Sequence, residues 1–388
     1  MVAGWIYFVQ VILVLVAEEI VQIMAINRVC YLRPDPTFPI DHVIQQGLCT
    51  HIIIAFCIID SNGELSPNDS LKEMCIKCRQ AIEKNGSFGT KLMISIGGGG
   101  AGGFELATST AENRSRFVLS ILNFIRQYSL DGIDIDWEFP SWNKNLSRRV
   151  ERVNFVYLLK DIREQFNQIE VMLGKSLVLS TAVAAQLTII RMCYQPKEIG
   201  KYVTFINLMS YDFYIHKWYW PFVGHNSALH STSSNLSLAS TFTTKWAAEY
   251  WHSQGVPKSK IMVGIPTYGK RFTLISKDRN HPGAIATGSN GDCTYTDVCI
   301  FLRKPETIQK FDDKAMVPYA FNGNEWISYE NEFSARNKAQ WIVNNGFGGV
   351  MLFSLNADDY KLRCKDEIFP IHSAVRDELI AHETTFNV

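Results

Sequence analysis

The segment from Leu130 to Pro140 reads LDGIDIDWEFP, and it combines a buried β-strand pattern with three closely spaced carboxylates. Alternate residues of a strand lie on one face, so Asp134, Asp136 and Glu138 share a face and the apolar residues between them share the other. Neighbouring carboxylates repel one another, and ionising all three is costly. We therefore expect at least one carboxyl group to keep its proton near neutral pH, as a general acid must.

Apolar runs of strand length lie on both sides of this segment. The eight strand candidates are Arg28–Leu32, His51–Ile59, Lys91–Ile96, Gly132–Trp137, Ser176–Ala184, Thr204–Ser210, Lys260–Ile265 and Gly349–Leu355. Most do not alternate strictly, which indicates burial on both faces as in a parallel sheet. Most are also followed by a helical stretch, such as Glu112–Tyr128 or Val153–Gln168. Eight such units predict the α/β class and a (β/α)8 TIM barrel, whose functional groups lie at the carboxyl ends of the strands.

The connection after the seventh strand candidate is much longer than the others and covers residues 270–335. A structureless loop of that length is uncommon in a compact domain. Two short strand-like runs, MVPYAFNG and EWISYE, occur within it. We expect a small α+β insertion domain at 270–335 that forms one wall of a groove, within a barrel covering residues 26–388.

The composition favours a polar or neutral ligand. The 388 residues include 38 Lys or Arg and 38 Asp or Glu, so the net charge is zero. No charge block argues for a nucleic acid or an anionic membrane. The glycines at 97–100 lack the G-x-G-x-x-G context of a nucleotide site. We expect no nucleic acid, no nucleotide, no metal and no other cofactor, and we take a monomer as the default state.

Compartment signals point to secretion. Residues 1–17 are apolar except for Gln10, which is typical of a signal peptide, although an uncleaved anchor is the alternative because no Lys or Arg precedes the run. Nine cysteines fit an oxidising, extracellular compartment. Cys75 and Cys78 lie on a predicted helix without a second pair at zinc-site spacing, so we interpret them as helix cysteines. Asn-x-Ser glycosylation triplets begin at Asn68, Asn85, Asn113, Asn145 and Asn235.

Several motifs together resemble those of glycoside hydrolase family 18, which contains animal chitinases and chitinase-like proteins. The spacing Asp131-x-x-Asp134-x-Asp136-x-Glu138 is similar to the acidic signature of the family at all four positions. Further similar motifs follow in the family's order: Ser95-Ile-Gly-Gly98, Met209-Ser-Tyr211-Asp212, Gly224-His-Asn-Ser-Ala, Pro266-Thr-Tyr-Gly and Gly348-Gly-Val-Met351. The likeness extends from about Arg28 to Leu379.

This resemblance implies hydrolysis of β-1,4-linked N-acetylglucosamine chains (chitin or chito-oligosaccharides) by a retaining, substrate-assisted reaction. Glu138 would serve as general acid and then as base. Asp136 would orient the acetamido N–H of the substrate, with Asp134 sharing charge beneath it. Tyr211 would bind the acetamido carbonyl, and Asp212 would contact sugar hydroxyls or neighbouring groups. A cation site and an inert, lectin-like site are the alternatives for the carboxylates.

The resemblance also marks binding positions and disulfides. The candidate substrate-binding residues are Tyr31, Phe56, Gly98, Met209, Trp218, Tyr268, Met351 and Phe353. Core packing or hydrophobic cover is the alternative for the apolar and aromatic residues, and a tight turn is the alternative for the glycine. The implied disulfides pair Cys30 with Cys49 and Cys299 with Cys364.

Some positions depart from the pattern of active chitinases. Phe353 and Gly99 stand where the family usually carries Trp, and Lys270 stands where Arg is common. A stacking contact contributes about 1–2 kcal/mol, so the loss of Trp surfaces weakens the binding of long chains. We therefore expect a preference for short or soluble chito-oligosaccharides. A chitin-binding, lectin-like protein with weak or no hydrolysis is the alternative.

Overall fold

The computed structural model describes residues 26–87, 89–142, 150–232, 238–364 and 367–385. In these ranges the strands are β1 (Asn27–Leu32), β2 (His51–Ile59), β3 (Leu65–Ser66), β4 (Lys91–Gly97), β5 (Gly132–Asp136), β6 (Val178–Ala184), β7 (Phe205–Met209), β8 (Ile261–Pro266), β9 (Tyr268–Leu274), β10 (Ala286–Thr294), β11 (Ile308–Asp312), β12 (Val317–Asn322), β13 (Glu325–Ser328) and β14 (Gly349–Phe353).

The predicted (β/α)8 barrel is confirmed. Strands pair in parallel in the order β1-β14-β8-β7-β6-β5-β4-β2, and β1 also pairs with β2, which closes the sheet on itself. The strand bounds differ from the predicted ones by at most two residues. The surrounding helices are α1 (Ile40–Gln45), α2 (Asp69–Lys84), α3 (Phe104–Thr108), α4 (Ala111–Tyr128), α5 (Val150–Leu173), α6 (Leu187–Cys193), α7 (Pro196–Tyr202), α8 (Thr244–Ser253), α10 (Glu332–Asn344) and α11 (Pro370–Thr385), while α9 (Tyr295–Leu302) packs on the second sheet described below.

The two faces of β5 belong to different cores. Ile133 and Ile135 are fully buried in the large apolar layer between the barrel and its helices. Asp134 and Asp136 lie on the opposite face, inside the barrel, as the alternation predicts. Helix α4 leads into this strand: it ends at Tyr128, and the capping residue Ser129 has a left-handed conformation (φ 51°) three residues before β5 begins. The local sequence thus places acidic side chains inside the barrel.

The region after β8 forms a second sheet beside the barrel. Strands β9 to β13 pair antiparallel in the order β10-β9-β13-β12-β11. Only Thr267 separates β8 from β9, and its backbone N–H and its hydroxyl bond the carbonyls of Phe353 and Ser354 at 2.9 and 2.6 Å. The second sheet is therefore fastened directly to the carboxyl end of the barrel. Its assignment as a domain with bounds at 270 and 335 stays a prediction.

Both implied disulfides are present, Cys30–Cys49 and Cys299–Cys364. Cys75 and Cys78 are buried on α2, as helix cysteines. Across the described ranges, no helix has both the length and the apolar character needed to cross a membrane. The N-terminal segment 1–17, Asn145 and Asn235 lie outside the described residues, so secretion and glycosylation stay predictions.

Candidate active site

The carboxyl ends of the barrel strands and one edge of the second sheet line a cavity of about 730 Å³. Its position is the one expected for a functional site of this fold. The predicted site residues that line it are Phe56, Gly98, Asp136, Glu138, Met209, Tyr211, Asp212, Tyr268 and Phe353. Residues that were spread over some 300 positions of the chain thus meet around one cavity.

Asp134 is fully buried beneath the cavity and does not line it. Its carboxylate accepts hydrogen bonds from the hydroxyls of Tyr31, Ser95 and Ser180, each at 2.7 Å, and from Asn207 Nδ2 at 3.1 Å. Burial raises the pKa of Asp134, and these four donors oppose that rise. Asp134 is therefore a fixed polar centre, and Tyr31 acts here as its donor from below the cavity.

Asp136 lies one step nearer the cavity and is 3% exposed. Its Oδ1 atom is buried and has no hydrogen-bond partner among the described residues. Burial, followed by the charges of Glu138 and Asp134, raises the pKa of Asp136 well above its ordinary value. A buried carboxylate oxygen without a partner is costly, so it marks a group whose partner is a ligand or a proton.

Glu138 lies two residues after the end of β5 and lines the cavity. Burial, and after it the negative charge of Asp212, raises the pKa of Glu138 to about 7. A carboxyl group with such a pKa can give up a proton near neutral pH and take it back. The sequence-based expectation of one protonated carboxyl group in this ladder agrees with that shift.

The glycines after β4 leave room for the ladder. A Cβ atom on Gly97, which has φ 112°, would lie 2.1 Å from the Asp136 carbonyl oxygen. One on Gly98 would lie 2.9 Å from the Phe56 ring. Both positions therefore require glycine for close approach as well as for backbone conformation. Gly98 lines the cavity and at the same time makes the tight turn.

Aromatic rings form the floor of the cavity. Phe353 lies 5.5 Å from the Tyr31 ring and 6.0 Å from the Tyr211 ring, measured between centroids. The Tyr211 hydroxyl reaches Met351 Sδ at 3.9 Å. Met351 is fully buried, so it supports this floor from below and does not line the cavity. Core packing, the alternative considered for this methionine, is what the structure shows.

Three neighbours contact the N–H and the carboxylate of Asp212. It has a left-handed backbone (φ 56°), and its N–H donates to Asn226 Oδ1 at 3.0 Å. The Tyr268 hydroxyl donates to Asp212 Oδ1, and Lys270 Nζ lies 3.0 Å from the same oxygen. Asn226 belongs to the Gly224-His-Asn-Ser-Ala motif, for which the sequence alone indicated no role. Lys270, noted as an Arg replacement, still pairs with the carboxylate.

Arg33 and Asn356 line the cavity, although sequence reasoning missed them. The Arg33 N–H donates to Asn356 Oδ1 at 2.6 Å, and Asn356 Nδ2 donates back to the Arg33 carbonyl at 3.0 Å. The Arg33 guanidinium lies over the Phe353 ring, 5.8 Å from its centroid. These two residues are 323 positions apart, so no local pattern could have paired them. Other cavity residues that were missed are Phe139, Gln186, Ile189, Ile215, Asp292, Thr294 and Asp297.

Asp131 of the acidic motif and the predicted binding residue Trp218 do not line the cavity. Asp131 lies at the start of β5, away from the cavity, where it binds Arg79 and Lys175 at 2.8 Å each and the Leu92 N–H at 2.9 Å. It therefore ties β5 to its neighbours. Trp218 is 86% exposed, pairs with the Tyr219 ring at 5.5 Å and is not part of the cavity lining. A sugar contact at Trp218 stays a prediction.

Known proteins share this sequence and architecture. Chitotriosidase-1 of Mus musculus is 33% identical over 377 residues, which cover 92% of this chain and 78% of that protein. The structure of human YKL-39, described as a pseudo-chitinase with retained chitooligosaccharide binding properties, superposes with a TM-score of 0.83 at 30% identity, covering 92% of this chain and all of that one. The Group IV chitinase of Ostrinia furnacalis gives a TM-score of 0.82 at 27% identity, covering 91% and 99%.

The family model for glycosyl hydrolases family 18 matches residues 27–358. This match spans the barrel strands, the acidic ladder and the second sheet. The chain belongs to glycosyl hydrolase family 18.

Proposed function

We propose that the protein hydrolyses β-1,4-linked N-acetylglucosamine oligomers by a retaining, substrate-assisted reaction with Glu138 as general acid and base. The observation that carries this proposal is the pairing of two carboxyl groups at the cavity. Glu138 lines it with a pKa of about 7, and Asp136 beneath it has a buried oxygen without a partner. Membership of family 18 supports substrate assistance, because a carboxylate nucleophile is replaced there by the substrate's acetamido group.

In the first step Glu138 gives its proton to the glycosidic oxygen as the bond from that oxygen to the anomeric carbon breaks. The acetamido carbonyl oxygen of the same sugar attacks the anomeric carbon and forms an oxazolinium ring. Asp136 Oδ1 accepts a hydrogen bond from the acetamido N–H, which stabilises the positive charge that develops there. The Tyr211 hydroxyl, at the edge of the same cavity, donates to the acetamido oxygen and orients it for attack.

In the second step the Glu138 carboxylate takes a proton from water while the water oxygen bonds the anomeric carbon and the oxazolinium ring opens. Two inversions give net retention, and Glu138 is protonated again. Asp134 stays in place through both steps, since four donors hold it. Its buried charge favours a proton on Asp136, which Asp136 keeps through both steps while its Oδ1 atom accepts the acetamido N–H.

Binding of chito-oligosaccharides without turnover is the second candidate. Phe353 and Gly99 leave less aromatic surface than the Trp residues usual at these positions, which favours short ligands and weak retention. The relative YKL-39, described as a pseudo-chitinase with retained chitooligosaccharide binding properties, supports binding without turnover as the second candidate. The intact Glu138 and its raised pKa favour hydrolysis over binding alone.

The test is hydrolysis of fluorogenic chitobioside and chitotrioside by the wild-type protein, the Glu138→Gln variant and a matched Glu112→Gln control. Glu112 lies on α4 with its side chain 85% exposed, and it is not part of the cavity lining. We expect turnover in the wild type and the control, and a loss of at least a hundredfold in Glu138→Gln. Isothermal titration calorimetry with chitotetraose on the same proteins would establish binding alone if all three bind and none turns over.

A further inference from the structure

Lys270 contacts two carboxylates, and only one of them belongs to the predicted catalytic set. Its Nζ lies 3.0 Å from Asp212 Oδ1 and 2.6 Å from Asp292 Oδ1. The Lys270 side chain is 10% exposed, whereas those of Asp212 and Asp292 are 34% and 58% exposed. One buried cation is therefore shared between a carboxylate of the barrel and a carboxylate of the second sheet.

The second sheet places Asp292 beside this lysine. In the antiparallel pairing of β10 with β9, Asp292 is the direct cross-strand partner of Lys270. The pairing register shifts between Ser289 and Asp292, a bulge that contains Gly291 with φ 78°. Bulges of this kind redirect the residues that follow them. Asp292 also lines the cavity, so its charge is both near Lys270 and open to the site.

We infer that Asp292 is a positioning residue that acts on Glu138 through Lys270, because it competes with Asp212 for the positive charge of the lysine. The inference rests on the proposed role of Glu138. With Asp292 present, Lys270 neutralises Asp212 incompletely, and more negative charge remains beside Glu138. That charge favours the protonated acid.

The direction of the expected change in the pKa of Glu138 depends on the charged and titratable groups around the site. Asp134 and Asp136 lie below Glu138 on β5, while Tyr211 and Asp212 approach from the end of β7 and Tyr194 from the end of α6. Tyr268 and Lys270 come from β9, Asp292 comes from β10, Asp297 comes from α9, and Arg33 comes from the loop after β1. Among these groups, Lys270 is the cation in contact with Asp212.

Removal of the Asp292 charge should lower the pKa of Glu138, because Lys270 then compensates Asp212 more fully. Removal of the Lys270 charge acts in the opposite direction, since both carboxylates are then uncompensated. Removal of the Asp292 charge and removal of the Lys270 charge should therefore shift the titration midpoint of Glu138 in opposite directions.

The test is a titration of Glu138 in the full chain that needs no turnover. The protein is labelled with 13C at the glutamate carboxyl, and the Glu138 resonance is identified by its absence in Glu138→Gln. We expect Asp292→Asn to lower the midpoint by about half a pH unit or more and Lys270→Met to raise it by a similar amount. Asp292→Glu, which keeps the charge, should stay near the wild-type midpoint.

The matched control is Asp278→Asn, which removes an exposed carboxylate of the second-sheet region that has no ion pair with Lys270. It should leave the midpoint unchanged. An unchanged midpoint in Asp292→Asn, or an equal shift in Asp278→Asn, overturns the inference. If the midpoint moves as expected but no variant hydrolyses substrate, the proposed function fails and the inference stands. If hydrolysis is present, the alkaline limb of kcat/KM must move with the midpoint.

Discussion

Gly99 is directed at Glu138, because a Cβ atom added to Gly99 would lie 3.6 Å from Glu138 Oε1. That distance is ordinary van der Waals contact, and Gly99 is not among the glycines with positive φ. A side chain at this position would therefore begin beside the acid without strain. The position where the family usually carries Trp thus lines the cavity directly beside the proposed acid.

The Gly99→Trp variant should bind long chito-oligosaccharides more tightly, since an indole placed here adds a stacking surface next to the reacting bond. We expect about a tenfold gain in affinity for chitohexaose and little change for chitobiose. Isothermal titration calorimetry with both ligands measures it. Gly98→Trp is the comparison variant, and it should lose folding stability because its Cβ would meet the Phe56 ring at 2.9 Å. Equal affinity for chitohexaose in the wild type and Gly99→Trp would contradict the stacking argument.

Activity should depend on the protonation of Glu138. The pKa of Glu138 is raised to about 7, so the protonated acid predominates below that pH and is lost as the pH rises through it. We expect kcat/KM on a fluorogenic chitotrioside to fall about tenfold per pH unit above the midpoint. A profile recorded from about pH 5 to about pH 9 tests this limb. A rate that stays constant across this interval would exclude Glu138 as the group that limits it.

Phe353 should contribute the main stacking surface of the cavity floor. Its ring contacts those of Tyr31, Tyr211 and Tyr268 and lies under the Arg33 guanidinium. Phe353→Ala should therefore weaken chitotriose binding roughly tenfold. Phe353→Trp should strengthen it, because the indole has a larger face. Fluorescence titration gives both constants. If Phe353→Ala binds as well as the wild type, the floor of the cavity is not where the sugar lies.

A buried ion pair should make a large contribution to the stability of the contact between α10 and the β7–α8 connection. Lys338 and Glu330 contact each other with 0% and 2% side-chain exposure, and Lys338 also bonds the Ser227 carbonyl. Burial lowers the pKa of Lys338 and raises that of Glu330, so desolvation already disfavours both charges. Lys338→Met leaves Glu330 buried without its cation, and we expect a loss of about 3–5 kcal/mol in the free energy of unfolding.

Urea unfolding followed by tryptophan fluorescence measures that loss. The double variant Lys338→Met with Glu330→Gln should recover a large part of it, because no uncompensated charge remains. Lys304→Met, which removes an exposed partner of Glu325, should change stability by no more than about 1 kcal/mol. A double variant as unstable as Lys338→Met alone would show that packing, and not charge, stabilises the contact between α10 and the β7–α8 connection.

The strands and the acidic ladder could be predicted because they depend on local rules. Burial on both faces makes barrel strands apolar, and a two-residue period fixes the side of β5 on which each carboxylate lies. The same parity separates Asp131 from the ladder, since it lies three residues before Asp134 and precedes the strand. That signal was present in the sequence and could have assigned Asp131 to anchoring.

The cavity walls could not be predicted, because they depend on contacts between distant segments. Nothing near Arg33 indicates Asn356, and the position of Trp218 depends on a connection whose path is set by the second sheet. Met351 illustrates a different difficulty. A residue at the end of a barrel strand lies either in the cavity lining or beneath it, and sequence alone did not show that Met351 is buried against the Tyr211 hydroxyl.

Thr267, the single residue between β8 and β9, affects the expected kinetics of ligand binding. Because Thr267 ties the start of the second sheet to the last residue of β14 and the residue after it, a separate rotation of the sheet and the barrel would break both bonds. If a sugar chain binds there as proposed, the groove is preorganised, and the protein should lose little conformational entropy on binding. Association should then proceed in one kinetic phase whose rate rises linearly with ligand concentration, without a slower isomerisation after the encounter.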